Sequence, residues 1–165
     1  MRHIISVMVE NESGVLSRVA GLFSARGFNI ESLTVAPVGN GETSRITLVT
    51  AGDDPIIEQI LKQLNKLIPV IQVTNLSEGP HIGRELMLAR ILTEHGPQER
   101  NIRQEVLNIA SIFHARIVDA TPASLIVELT GDSEKLDACL AMLEPLGVAE
   151  VVRTGQVAIA RGSRK

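Results

Sequence analysis

Twice in 165 residues the spacing of apolar side chains passes from a two-residue period to a helical one and back, in the same order each time. That order limits the chain to small units in which helices cover a sheet. Residues 2–10 are rich in β-formers, with Ile5, Val7 and Val9 on one face and Ile4 and Met8 on the other. A strand apolar on both faces is expected at the centre of its sheet. Asn11-Glu12-Ser13-Gly14 then breaks the pattern, and Asn11 and Ser13 are both good N-cap residues. Val15, Leu16, Val19, Leu22 and Phe23 recur at helical spacing up to Gly27, which is expected to stop the helix. Strands are predicted over 29–37 and 43–50, with Gly39-Asn40-Gly41 as the hairpin turn between them. Asp54 followed by Pro55 reads as an N-cap and first helical position. The stripe of that second helix is Ile57, Ile60, Leu61, Leu64 and Ile68, and Val70 to Leu76 is a fourth strand.

This β-α-β-β-α-β order is the ferredoxin-like plan. Ser77-Glu78-Gly79-Pro80 reads as a linker, and the same order then returns. Glu85 to Thr93 is a strand, and Ile102, Val106, Ile109, Ala110 and Phe113 form a helical stripe. Ala115 to Thr121 and Leu125 to Thr130 are strands joined near Pro122-Ala123. Asp132 caps a helix with the stripe Leu136, Cys139, Leu140 and Leu143, and Val148 to Ile159 is a last strand with a break at Gly155. The expected fold class is α+β, two ferredoxin-like βαββαβ domains in tandem. The expected bounds are residues 1–76, a linker over 77–83, and a C-terminal domain over 84–165 ending in a short basic tail.

Apolar residues make up 44% of the chain and mean hydropathy is +0.18. For so short a chain this points either to a buried subunit interface or to a well-filled aliphatic core. A net charge of −3 gives no electrostatic footprint for nucleic acid or anionic membrane. Trp and Tyr are absent and Phe23, Phe28 and Phe113 are the only aromatics, which argues against stacking on single-stranded nucleic acid. No apolar run approaches the roughly 20 residues that span a bilayer. The single cysteine cannot form an intramolecular disulfide, and a cytoplasmic protein or its organellar equivalent is expected.

No reactive constellation is visible. Cys139 falls on an apolar helical stripe, where an inert thiol belongs. His3, His81, His95 and His114 are scattered, without the spacing of a helical metal pair. Phosphate-binding and nucleophile-elbow motifs are absent. Acylphosphatases share the ferredoxin-like topology and hold phosphate with an arginine after the first strand. Here that loop is Glu10-Asn11-Glu12-Ser13-Gly14, with two carboxylates and no arginine, so it repels phosphate.

The same loop opens a helix, where unpaired N–H groups and the positive dipole end suit a small carboxylate, and Gly14 allows close approach. Asn29 begins the next strand, at the opposite end of a β-α-β unit; a two-fold would bring it beside Gly14 of a second chain. An asparagine amide can donate to a carboxylate and accept from an ammonium. From spacing alone, two readings stay open: these residues bind a ligand, or Asn11 and Ser13 only cap and Asn29 only turns the chain.

The run Asn-Glu-Ser-Gly-Val-Leu followed by Gly21-Leu22-Phe23-Ser24-Ala25-Arg26-Gly27-Phe28-Asn29-Ile30-Glu31-Ser32-Leu33 resembles an ACT domain, an amino-acid-binding regulatory module that pairs at dimer interfaces. Thr34-Val35-Ala36-Pro37, Ser44-Arg45-Ile46-Thr47, the stretch 59–67 and Arg84-Glu85-Leu86-Met87-Leu88 extend the resemblance, over nearly the whole chain, to the small regulatory subunit of acetolactate (acetohydroxyacid) synthase. The resemblance implies a non-catalytic subunit that activates a separate thiamine-diphosphate catalytic subunit and confers feedback inhibition by valine in branched-chain amino-acid synthesis. It implies a homodimer or higher homo-oligomer, and a valine site at Asn11, Gly14, Val15, Leu16, Asn29 and Ile30. Thiamine diphosphate, Mg²⁺ and FAD are implied for the catalytic chain and none for this one. Thr93-Glu94-His95-Gly96-Pro97, the matching loop of the second half, lacks the Asn-x-x-Gly arrangement, so no site is expected there. The alternative is a stand-alone tandem-ACT amino-acid sensor acting in gene control.

Overall fold

The computed structural model describes residues 1–93 and 101–162. The loop read at Thr93 to Pro97 lies, beyond Thr93, outside the described residues, as do the last three residues of the tail. The chain divides into two compact units, Met1–Gly83 with the segment from Gln156 onward, and Arg84–Gly155.

The first unit runs β1 (Arg2–Glu10), α1 (Val15–Ala25), β2 (Ile30–Val38), β3 (Thr43–Ala51), α2 (Asp54–Leu64) and β4 (Val70–Asn75). Its strand order is β2-β3-β1-β4, with antiparallel neighbours throughout. Strand β1 is central, as its two apolar faces require. Ile5, Val7 and Val9 meet Ile46 and Leu48 of β3 under Val15, Val19, Leu22 and Phe23 of α1 and Ile57, Ile60 and Leu64 of α2, all buried. Each such side chain contributes about 1.5–3 kcal/mol of transfer free energy, so the sheet and its two helices form one core. Helix α2 is capped by Asp53, whose carboxylate accepts from the Ile56 amide at 3.2 Å; Asp54 is the first helical residue rather than the cap. Ile68 lies beyond the helix and is 94% exposed, so it is no part of the stripe.

The second unit contains most of β5 (His81–Leu92), then α3 (Ile102–Phe113), β6 (Arg116–Ala120), β7 (Ser124–Gly131), α4 (Ser133–Leu143) and β8 (Val148–Arg153). The order β6-β7-β5-β8 repeats that of the first sheet. Met87, Ala89 and Ile91 pack with Leu125, Val127 and Leu129 beneath Val106 of α3 and Leu136, Cys139 and Leu143 of α4. Arg153 donates from Nε and Nη2 to the buried Glu85 carboxylate at 3.0 and 2.9 Å, which joins β8 to β5.

Two further expectations need correction. The stretch read as a linker is a 3₁₀ turn, Leu76–Glu78, followed by the start of β5. Asn75 caps the turn by accepting from the Ser77 amide, and Leu76 is buried, so the segment belongs to the first core. The last strand is also two strands. The chain breaks at Gly155, whose φ of 79° is left-handed, and continues as β9 (Val157–Ala160), which belongs to the first unit and not to the second. There Ala158 is buried against Ile4, Val49 and Leu76 on the face of the sheet away from the helices. The Thr34 hydroxyl donates to the Gln156 carbonyl at 3.3 Å, and the Arg161 amide to the Pro80 carbonyl at 2.8 Å. The first unit therefore depends on the end of the chain. Ala158→Asp, which buries a charge against three aliphatic side chains, should cost about 2–4 kcal/mol in chemical denaturation. A variant as stable as the parent would mean that β9 adds nothing to that core.

Candidate effector site

Beyond β1 the chain turns into α1 through a loop tied down by asparagine. The Asn11 amide donates to the Glu42 carbonyl at 2.9 Å, its side-chain Nδ2 donates to the Gly41 carbonyl at 2.8 Å, and its Oδ1 accepts from the Ser44 hydroxyl at 3.0 Å. These three bonds clip the loop to the β2–β3 turn. Asn11 is thus neither a cap nor an idle turn residue. Ser13 caps nothing either: the N-cap is Gly14, at φ 84° and ψ −5°, with no side-chain hydrogen bond onto the helix. Among the described residues the other three α-helices each have one, from Asp53, Asn101 and Asp132. Helix α1 therefore presents first-turn amides that no side chain of its own cap satisfies, at its positive end.

Gly14 carries the geometry. A positive φ costs a side-chain-bearing residue strain, least for Asn and Asp. A Cβ built at Gly14 would meet nothing within 4 Å, so the backbone lies open to whatever approaches. Val15 is buried in the core and its amide donates to the Glu12 carbonyl at 3.4 Å, whereas Leu16 is 42% exposed and offers an apolar surface beside the loop.

Asn29 and Ile30 lie elsewhere. The Thr50 hydroxyl donates to the Asn29 carbonyl at 2.6 Å, and Ile30 pairs with Thr50 in the β2–β3 ladder. Asn29 is exposed and Ile30 half-buried. Asn11 is held by Ser44 at one end of β3 and Asn29 by Thr50 at the other. Six residues of extended strand separate them by on the order of 20 Å. Within one chain the structure brings together Asn11, Gly14, Val15 and Leu16, and leaves Asn29 and Ile30 apart from them. Ser44, Gly41 and Thr50 are anchoring residues to which the sequence reading gave no such role. The strand register that sets Ser44 opposite Val9 would have indicated the first.

The remaining reactive side chains are placed by packing. Cys139 is buried on α4; burial raises its thiol pKa, more than nearby Lys135 lowers it. His3 is buried in the first unit, His81 Nδ1 lies 3.1 Å from the Gly79 carbonyl, and His114 ends α3 in a left-handed conformation.

Known proteins match both halves. The family model described as AHAS small subunit-like ACT domain matches residues 5–72, and that of the small subunit of acetolactate synthase matches residues 84–162. A probable acetolactate synthase small subunit of Archaeoglobus fulgidus is 48% identical over 165 residues, the full length of both chains. The chain belongs to the acetolactate synthase small-subunit family. The isozyme 3 small subunit of Salmonella typhimurium is 49% identical, with 99% of this chain and 98% of that one aligned. The crystal structure of the small subunit from Thermotoga maritima superposes with a TM-score of 0.86 at 36% identity over 99% of both chains. With both halves claimed by one family, nothing favours the gene-control alternative.

For a member of this family the glycine at position 14 is required first by backbone geometry. Gly14→Val should destabilise the chain by about 1–3 kcal/mol, and Gly14→Asn by less than about 1 kcal/mol. Equal losses in urea unfolding would show that the left-handed conformation is not what selects glycine.

Proposed function

We propose that this chain is a non-catalytic regulatory subunit that activates the thiamine-diphosphate catalytic subunit of acetolactate synthase and makes it sensitive to valine. Thiamine diphosphate, Mg²⁺ and FAD belong to that partner in this reading. The observation that supports it best is the uncapped start of α1 beside the open Gly14 backbone. The valine carboxylate sits on those amides, as anions do at helix N-termini. Leu16 gives its isopropyl group an apolar wall. Asn29 and Ile30 come from a second chain, because their own lie on the order of 20 Å away along β3. An antiparallel pairing of two β2 edges about a two-fold reverses one chain against the other, and so sets each Asn29 at the far chain's loop. It also covers an edge strand on which Val35 is exposed. The Asn29 amide then completes the site by donating to the carboxylate or accepting from the ammonium.

Gly14→Asp and Gly14→Asn test the carboxylate. Both residues tolerate the left-handed conformation, so the pair differs chiefly in charge. Like charges at ~4 Å repel by about 1 kcal/mol in water and about 4 kcal/mol at an intermediate dielectric. The aspartate variant should therefore lose roughly one to three orders of magnitude in valine affinity. It should still activate the catalytic subunit, while the asparagine variant stays closer to the parent. A valine titration of the reconstituted enzyme decides it; parental inhibition in the aspartate variant would place the effector elsewhere.

The shared site has its own test. Gly14→Asp and Asn29→Ala should each weaken valine binding about tenfold or more alone. Mixed in equal amounts they should recover about a quarter of the parental sites, since half of randomly paired dimers are mixed and each mixed dimer keeps one undamaged site of two. No recovery, or sedimentation as a 17.8 kDa monomer, would overturn the two-chain site.

A further inference from the structure

Arg45 belongs to a stretch the effector site leaves unused. The arginines Arg2, Arg90, Arg116 and Arg153 all pair with carboxylates. Arg45 does not. Among the described residues its recorded partner is the Met8 thioether, with Nε 3.4 Å from Sδ. A thioether is a weak acceptor, and this contact leaves both Nη groups unused. Arg45, Met8 and Gln72 are cross-strand partners on β3, β1 and β4, and Ser6 and Thr74 form the next pair on the same face. That face looks away from the helices, and β9 closes it on one side.

These residues line a cleft of about 170 Å³. Its polar lining is one guanidinium, two hydroxyls and one carboxamide, and it contains no acidic side chain. In a chain with 19 acidic residues and a net charge of −3, a half-buried guanidinium in a cleft lined only by neutral side chains lacks its counter-ion there. Met8, Leu76 and the strand Val157–Ala160 supply an apolar wall. A bare phosphate would leave that wall unused.

We propose that this cleft is a second binding site, which takes a carboxylate on a short aliphatic stem. The guanidinium holds the carboxylate by charge-assisted hydrogen bonds, the Ser6 and Thr74 hydroxyls and the Gln72 amide supply further donors, and the stem lies along β9. That chemistry has two sources: a free short-chain acid, or an aspartate or glutamate side chain of the catalytic subunit. The second rests on the function proposed above.

The test has two arms, both on the full chain. In the first, isobutyrate is titrated at constant ionic strength and the ¹H–¹⁵N signals of Arg45 Nε and of the Ser6 and Thr74 amides are followed. A free acid gives saturable shifts there that are about tenfold or more weaker in Arg45→Gln and partly restored in Arg45→Lys. In the second arm, association with the catalytic subunit is measured for the same variants. A partner side chain gives no saturable isobutyrate shift, but association about tenfold weaker in Arg45→Gln, with circular dichroism unchanged. If Arg45→Gln matches the parent in both arms, the site does not exist. If the parental chain does not associate with the catalytic subunit at all, the regulatory reading fails; the first arm then decides alone, saturable shifts supporting the site and their absence overturning it.

Discussion

Strand β1 is the member on which the first unit depends. It is hydrogen-bonded on both edges, to β3 and β4, and packed on both faces. Its odd-numbered residues Ile5, Val7 and Val9 enter the core under the helices. Its even-numbered residues Ile4, Ser6 and Met8 face β9 and the Arg45 cleft. Because the side-chain period is two, a slip of one residue would exchange these sets and put serine into the core. The nine-residue register of β1 against β3 excludes that slip. It also fixes where the loop after Glu10 begins, and hence where Gly14 and the start of α1 stand.

The loop after β1 is open without being loose. Its polar anchors all point back to the β2–β3 turn: an amide, a carboxamide N–H and a carboxamide oxygen, each with its own partner. On the helix side only the Glu12 carbonyl is engaged, by the Val15 amide at 3.4 Å. An asparagine used as an N-cap would satisfy a first-turn amide and so compete with any anion arriving there. Here the asparagine holds the loop, a glycine makes the turn, and the first-turn amides have no side-chain cap.

Much of this was legible in the sequence. Alternation and helical spacing were strong enough to give the order of the repeated elements, because each rests on several apolar residues whose burial is worth more than any local preference. What failed were readings carried by one or two polar residues. Asn11, Ser13 and Asp54 all have cap chemistry, but cap chemistry does not say which residue occupies the cap, and Asp53 and Gly14 do. Gly155 was visible as a break; where the chain goes after it was not. Val157 to Ala160 is too short to declare a partner, and its small residues fit the space over Ile4 and Val49 only once that sheet exists. The six proposed effector residues were named from resemblance. Their division into four and two follows from topology, since a β-α-β connection must set the start of β2 at the far end of the sheet.

Ser44 and Arg45 are consecutive residues that serve opposite faces of β3. Ser44 holds Asn11 on the helix side; Arg45 lies in the cleft on the other. Adjacency of this kind invites the idea that a ligand at one face signals to the other. Coupling, however, requires an element with two arrangements that both ligands bias differently. The backbone between these side chains is a ladder strand whose next residues, Ile46 to Thr50, are all buried. A displacement there would disturb the register and the core together, at a cost above the 1–3 kcal/mol that allosteric couplings typically supply. The strand is therefore a poor switch. In a two-chain effector site the element free to take two arrangements is the pairing of the two β2 edges. Valine would bridge it directly, since the loop belongs to one chain and Asn29 to the other. A carboxylate at Arg45, bound within a single unit, makes no contact across that pairing. The two sites should then bind independently, and regulation by valine should pass through the dimer interface rather than through the sheet.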